Sequence, residues 1–197
     1  MTEHDATVVA AVGQHQMWLA RYYGFKRPDS PHSSGGLGTM GFGLPAPMGA
    51  ALGRPAKETW AVVGGGGVQM TNQELLTTVV DDIPVKICLM DNKKLGMIRQ
   101  WQEIVYGGNY HSSDLPAPQW DKLAEAYGMP TFKASSPEQV DDAIRGAQAH
   151  DGPALAWMEI EQTQNVLPMM PAGKGLSDLL EGYGATNKPA QDEEEGK

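Results

Sequence analysis

The sequence predicts an α/β protein: a parallel sheet flanked by helices on both faces. Three observations carry this expectation. Runs such as "ATVVAAVG", "TWAVVG" and "PVKICLMD" are apolar almost throughout, as strands covered on both sides must be. Segments with helical spacing alternate with them along the chain. Glycine-rich turns follow directly on the strand-like runs, at the ends where open parallel sheets bind ligands.

The elements follow in order. Residues 6–13 read as a first strand closed by Gly13, and "HQMWLARYYG" over 15–24 as a helix stopped at Gly24. "GLPAPMGAALG" over 43–53 reads as a helix of small residues with prolines near its start. "TWAVVG" over 59–64 is the second strand and runs straight into further glycines. "TNQELLTTVVDD" over 71–82 is expected to be a helix with Thr71 and Glu74 in capping-box positions. Residues 84–91 form a third strand, and 119–128 an amphipathic helix closed by Gly128. Residues 137–150 repeat that helical pattern, and 153–160 form a further strand. One domain is expected over 1–182. The remaining 183–197, with Asp192, Glu193, Glu194 and Glu195, has too little apolar content to pack and reads as a disordered acidic tail. No internal repeat is visible.

With 197 residues, 41% of them hydrophobic and 20% charged, the chain can bury a sizeable core and belongs with globular proteins, not disordered ones. Its formal net charge is −9, and no lysine or arginine cluster is available to neutralise a run of phosphates, which argues against nucleic acid. The sole cysteine, Cys88, sits inside an apolar run and reads as a buried thiol in a reducing compartment. No apolar stretch approaches the length of a membrane span, and "MTEHDATVV" has no signal-like pattern. A cytoplasmic protein without a membrane partner is expected.

Four segments carry candidate chemistry: "VGQHQMW" (12–18), "SGGLGTMGFGLPAPMGAALG" (34–53), "GGGGVQM" (64–70) and "DNKKLGMIRQWQE" (91–103). Taken singly, each has an ordinary structural explanation. Glycine turns are common, His15 could cap a helix, Met40 and Met97 could fill a core, and Trp101 could be a half-buried anchor. The turn at 64–67 can hold a phosphate on bare backbone, and the amides of Gly66 and Gly67 at a helix start form an anion nest. It carries neither the lysine of a phosphate loop nor an acid, no Gly-Lys-Ser/Thr follows it, and it opens no Gly-x-Gly-x-x-Gly pattern, which argues against a nucleotide site at this turn.

Together and in this order, these segments resemble the thiamine-diphosphate enzymes, and among them the catalytic subunit of acetohydroxyacid synthase (acetolactate synthase). The resemblance covers roughly residues 8–180, which correspond to the carboxyl-terminal cofactor domain, and rests on "GQHQMW", "SGGLGTMGFGLP", "LGMIRQWQE" and "NVLPMMPAG". It implies that Gln14 and His15 bond the diphosphate, that the Gly38 carbonyl accepts from the aminopyrimidine, and that Met40 wedges the cofactor into a bent shape. Gly96 and Met97 would line the cofactor, and Trp101, flanked by Arg99 and Gln100, would shape the pocket for a second keto acid. The implied reaction is decarboxylation of a 2-keto acid such as pyruvate followed by carboligation, with the thiazolium as electron sink.

The metal motif departs from the family. The family pattern is Gly-Asp-Gly with an asparagine 27 positions after the aspartate and a backbone carbonyl two residues beyond. Asn92 and the Lys94 carbonyl are in place, but Gly65 stands at the aspartate position. Mg²⁺ prefers about six oxygens, and a carboxylate supplies both ligand and charge. Weakened metal and cofactor affinity is expected. Asp91 could compensate only against strand geometry, since neighbouring side chains on a strand point apart. The family's other domains, one supplying the activating glutamate and one binding FAD, have no counterpart in these residues. FAD is therefore not expected on this chain, and a pyrimidine-domain chain or a further copy is expected as partner. The alternative reading is a non-catalytic or regulatory module of the same fold.

Overall fold

Six strands form one sheet in which every pairing is parallel: β1 (Thr7–Ala10), β2 (Pro31–Ser33), β3 (Thr59–Gly64), β4 (Val85–Asp91), β5 (Thr131–Ala134) and β6 (Ala154–Glu159). Their order is β2-β1-β3-β4-β6-β5. The computed structural model describes residues 5–171 and 173–181. The segment 183–197, read above as an acidic tail, lies outside the described residues.

Helices α1 (Gln14–Tyr22), α2 (Pro45–Gly53), α3 (Gly65–Thr71), α4 (Glu74–Val80), α5 (Gly96–Ile104), α6 (Trp120–Ala126) and α7 (Val140–Ala149) accompany the sheet. Strand alternation divides the core in two. Ala61, Val63, Ile87, Leu89, Leu155 and Trp157 face one way and pack with Met48 of α2, Val68 of α3, and Trp120 and Ala124 of α6. Val8, Trp60, Val62, Ala156 and Met158 face the other way and pack with Leu19 of α1 and Ala143 and Ala147 of α7. Each large side chain so enclosed contributes roughly 1.5–3 kcal/mol. The parallel sheet covered on both sides, predicted from the apolar runs, is the fold that forms. Cys88 packs on the second side, where burial pushes its thiol up to about 11.

Two edge strands and one helix were not anticipated, and one expected helix start is corrected. The edge strands β2 and β5 had no sequence signal: "PHS" is exposed throughout and begins with proline, and "TFKA" is too short to show alternation. The segment "LGMIRQWQE" forms the helix α5. The predicted helix over 71–82 begins only at Glu74, and its cap Gln73 makes no side-chain hydrogen bond. Thr71 instead ends α3, and its hydroxyl donates to the Gly41 carbonyl at 3.1 Å. The glycines of the 64–67 turn coil directly into α3 once Val68 is buried, and this carries Thr71 away from any capping role.

No helix among the described residues is long and apolar enough to cross a membrane. From β1 the chain passes outward to β2, whereas β3, β4, β6 and β5 lie on the other side of β1. The sheet therefore changes direction between β1 and β3, the place where open α/β sheets leave a crevice.

Candidate functional site

At that crevice, beyond the carboxyl ends of β1, β3 and β4, lies a cavity of about 360 Å³ whose wall includes the first residues of α1, α3 and α5. Gln14 and His15 come from α1, Gly65, Gly66 and Gly67 from α3, and Gly96 and Met97 from α5. Gly38 and Met40 reach the wall from the loop before α2, and Asn92 and Lys94 from the loop after β4. Trp101, one turn further along α5, is half-buried and is not among the lining residues. The first amides of a helix have no acceptor within the helix and carry its positive dipole end. Three helix starts around one cavity thus make a seat for an anion.

A chain of buried amides ties the wall together. Gln14 Oε1 accepts from Asn92 Nδ2 at 3.2 Å, and Gln14 Nε2 donates to Gln100 Oε1 and to the Gln164 carbonyl, both at 2.9 Å. Gln100, fully buried, accepts from the Val166 amide at 2.8 Å and donates to the Val166 carbonyl at 3.1 Å. Arg99 donates to the Thr163 carbonyl at 2.9 Å and to Asn165 Oδ1, and it pairs with Glu103 at 2.6 Å. Gly96 is required where this network touches α5, because a Cβ there would lie 2.1 Å from Gln14 Oε1 and 2.8 Å from Asn92 Nδ2.

His15 is 7% exposed, and its Nε2 has no hydrogen-bond partner. Burial lowers its pKa to about 4, so the imidazole is neutral at neutral pH. A buried polar atom without a partner is costly, and one in a cavity wall is satisfied when the cavity holds a polar group. This unpaired nitrogen and the converging helix starts fit the diphosphate of a thiamine cofactor.

The same wall does not fit a hard divalent cation. It contains no aspartate or glutamate, and among the described residues no group of three or more His, Cys, Asp or Glu side chains could hold a metal ion. Asn92 Oδ1 already accepts from the Lys94 amide at 3.1 Å, and the Lys94 ammonium pairs with Asp114. Asp91 is turned away from the cavity, as strand alternation predicts. Its carboxylate accepts from Trp120 Nε1 at 3.0 Å and from the Lys93 amide at 3.1 Å.

Sequence reasoning did not find that Gln100 and the 163–169 segment back the wall, nor that Trp18, Met90 and Ile160 supply its apolar part. The available signal was the conjunction of "RQWQE" with "NVLPMMPAG", polar residues in strings that otherwise have no reason to be paired.

Residues 11–156 match the family described as "Thiamine pyrophosphate enzyme, C-terminal TPP binding domain". The chain is 44% identical over 181 residues to the acetolactate synthase of Mycobacterium bovis, covering 89% of this chain and 29% of that protein. It is 40% identical over 178 residues to the acetolactate synthase isozyme 2 large subunit of Escherichia coli, covering 90% of this chain and 32% of that protein. The chain thus spans about a third of the length of these relatives. Among solved structures, a benzoylformate decarboxylase from Polynucleobacter necessarius superposes with a TM-score of 0.73 at 21% identity, over 82% of this chain and 32% of that one, which establishes likeness of fold.

Proposed function

The chain belongs to the thiamine pyrophosphate (thiamine diphosphate) enzymes, whose C-terminal TPP-binding domain it carries, and from that premise we propose that it is the cofactor-binding part of an acetolactate synthase-like transferase. The reaction proposed is decarboxylation of pyruvate or a related 2-keto acid and transfer of the remaining two-carbon unit to a second keto acid, within cytoplasmic branched-chain amino acid biosynthesis. When bound, thiamine diphosphate supplies a thiazolium that acts as electron sink for the loss of CO₂.

The chain's own residues bind and orient that cofactor. The first amides of α1, α3 and α5 and the unpaired His15 Nε2 take the diphosphate, with Gln14 held in place by Asn92 and Gln100. Gly38 and Met40 support the rings, and Met90, Leu95, Met97 and Ile160 keep water from them. Trp101, outside the cavity wall, is assigned to the second keto acid's pocket. No acidic side chain lines the cavity, so the carboxylate that activates the aminopyrimidine is assigned to a pyrimidine domain outside these residues.

The observation that carries this reading is the unpaired, buried His15 Nε2 among three helix starts. Calorimetric titration with thiamine diphosphate should show one site per chain, and His15→Ala should weaken it at least about tenfold, the loss of one buried charge-assisted hydrogen bond. Absence of binding by the parent chain would overturn the reading. The missing carboxylate at position 65 favours a second reading, a non-catalytic module of the same fold. Acetolactate formation after mixing with a pyrimidine-domain chain supports the enzyme, and association without turnover supports the module.

A further inference from the structure

Gly13 and Gly64 enclose one edge of the His15 ring. A Cβ built on Gly13 would lie 2.9 Å from His15 Cε1 and 3.1 Å from its Nδ1, and one built on Gly64 would lie 3.0 Å from each. Contacts this short are overpacked, so a side chain at either position would displace the ring. Gly13 follows β1 and Gly64 ends β3, so the ends of two neighbouring strands form the seat. Nε2 lies on the far side of the ring, 3.9 Å from a Cβ at 13, and is the nitrogen left without a partner. Both glycines and His15 belong to the cavity wall.

The two positions are glycine for different reasons. Gly13 has φ 150° and ψ −166°, a backbone conformation closed to L side chains. Gly64 has φ −102° and ψ 159°, extended backbone that any residue adopts. Beyond the His15 ring, the nearest atom to a Cβ at 64 is the Met90 carbonyl oxygen, at 4.0 Å. The imidazole alone keeps a side chain out of position 64.

We propose that Gly64 is a positioning residue for His15: its bare backbone lets the ring lodge between the ends of β1 and β3 with Nε2 presented to the diphosphate. His15 is the second residue of α1, so the helix carries the ring while the end of β3 sets where it points. The ring is buried, so a side chain at 64 can be relieved only by turning the imidazole within the wall, and that turn takes Nε2 off the ligand. The inference rests on the proposed function for the identity of the ligand, whereas the seat is defined by contacts within the protein.

The test is a double-mutant cycle on the purified chain: parent, G64A, H15A and G64A/H15A. Each is titrated calorimetrically with thiamine diphosphate and, separately, with inorganic pyrophosphate, which presents the same anion without the thiamine rings. G64A should weaken both ligands at least about tenfold, as far as H15A does. Adding G64A to H15A should cost less than about twofold more, since the ring it would displace is gone. Equal affinity of parent and G64A overturns the positioning, and so does a double variant weakened by the product of the two single effects. Melting without ligand reads the same contact: G64A should melt below the parent, and G64A/H15A no lower than H15A. Folding of G64A/H15A where G64A fails to fold supports the seat, and failure of both overturns it in favour of another contact at 64. Pyrophosphate binding without thiamine diphosphate binding sinks the functional reading and leaves the cycle to be read on pyrophosphate. Additive effects in a chain that binds thiamine diphosphate sink the positioning alone, and a parent that binds neither ligand overturns both.

Discussion

Gln14 Nε2 donates to Gln100 Oε1 at 2.9 Å, a buried bond between residues 86 positions apart. It joins the start of α1 to the middle of α5, so two walls of the cavity share one amide. Gln100 is bonded in turn to Val166 through both its oxygen and its nitrogen. The cavity is therefore backed by a segment that contributes no helix start to it.

Truncating Gln100 removes that joint. Gln100→Ala leaves the Gln14 amide and both Val166 backbone groups without their partner and opens a void. A loss of about 2–4 kcal/mol is expected. Urea denaturation measures it, and a loss below the error of the extrapolation would show that water replaces the amide without cost.

Gly96 should tolerate no side chain. In Gly96→Ala the new Cβ meets Gln14 Oε1 and Asn92 Nδ2, so the amides that shape the wall must turn aside. Helix propensity gives little in return, because the gain of about 1 kcal/mol of alanine over glycine belongs to helix interiors and Gly96 is the first residue of α5. The expected outcome is a lowered melting temperature together with thiamine diphosphate affinity weakened at least about tenfold, read by tryptophan fluorescence quenching.

His15 should make the fold acid-sensitive. Its folded pKa is about 4, lowered by burial from 6.5. The unfolded chain therefore binds the proton more readily, and stability rises with pH between these values. Below the unfolded value stability falls, reaching a deficit on the order of 3 kcal/mol near pH 4, and above about pH 7 it is fully present. Melting temperature against pH should be shallower for His15→Gln over that window. Identical profiles would mean that another group carries the dependence.

Arg99 should hold the 163–169 segment. Arg99→Met leaves Glu103 and Asn165 without their cation and removes the bond to the Thr163 carbonyl. Arg99 is buried but Glu103 is partly exposed, so a loss of about 2–3 kcal/mol is expected, below that for a fully buried pair. Limited proteolysis should then cut first within 161–171, and an unchanged cleavage pattern would place the anchor of that segment elsewhere.

Much of this fold was legible in the sequence because burial on both faces forces it to be. "TWAVVG" can only be a strand between two layers, and it spans β3 residue for residue. That Gln14, His15 and Gly96 line the cavity was expected only from the resemblance of their segments, whereas the Gly66 amide was legible from its place at a helix start after a strand. The short edge strands were not legible, because "PHS" and "TFKA" pair only when β1 and β6 offer them free edges.

Sequence by itself determined the doubly covered parallel sheet, the crevice and the absence of an acid at position 65, since each follows from residue type and spacing. Tertiary structure alone decided what stands behind that position. Strand parity places Asp91 opposite Asn92, but only the docking of α6, 29 residues later, brings Trp120 to its carboxylate and both of them against Gly65. Local geometry sets a direction for a side chain, and long-range packing decides what it meets there.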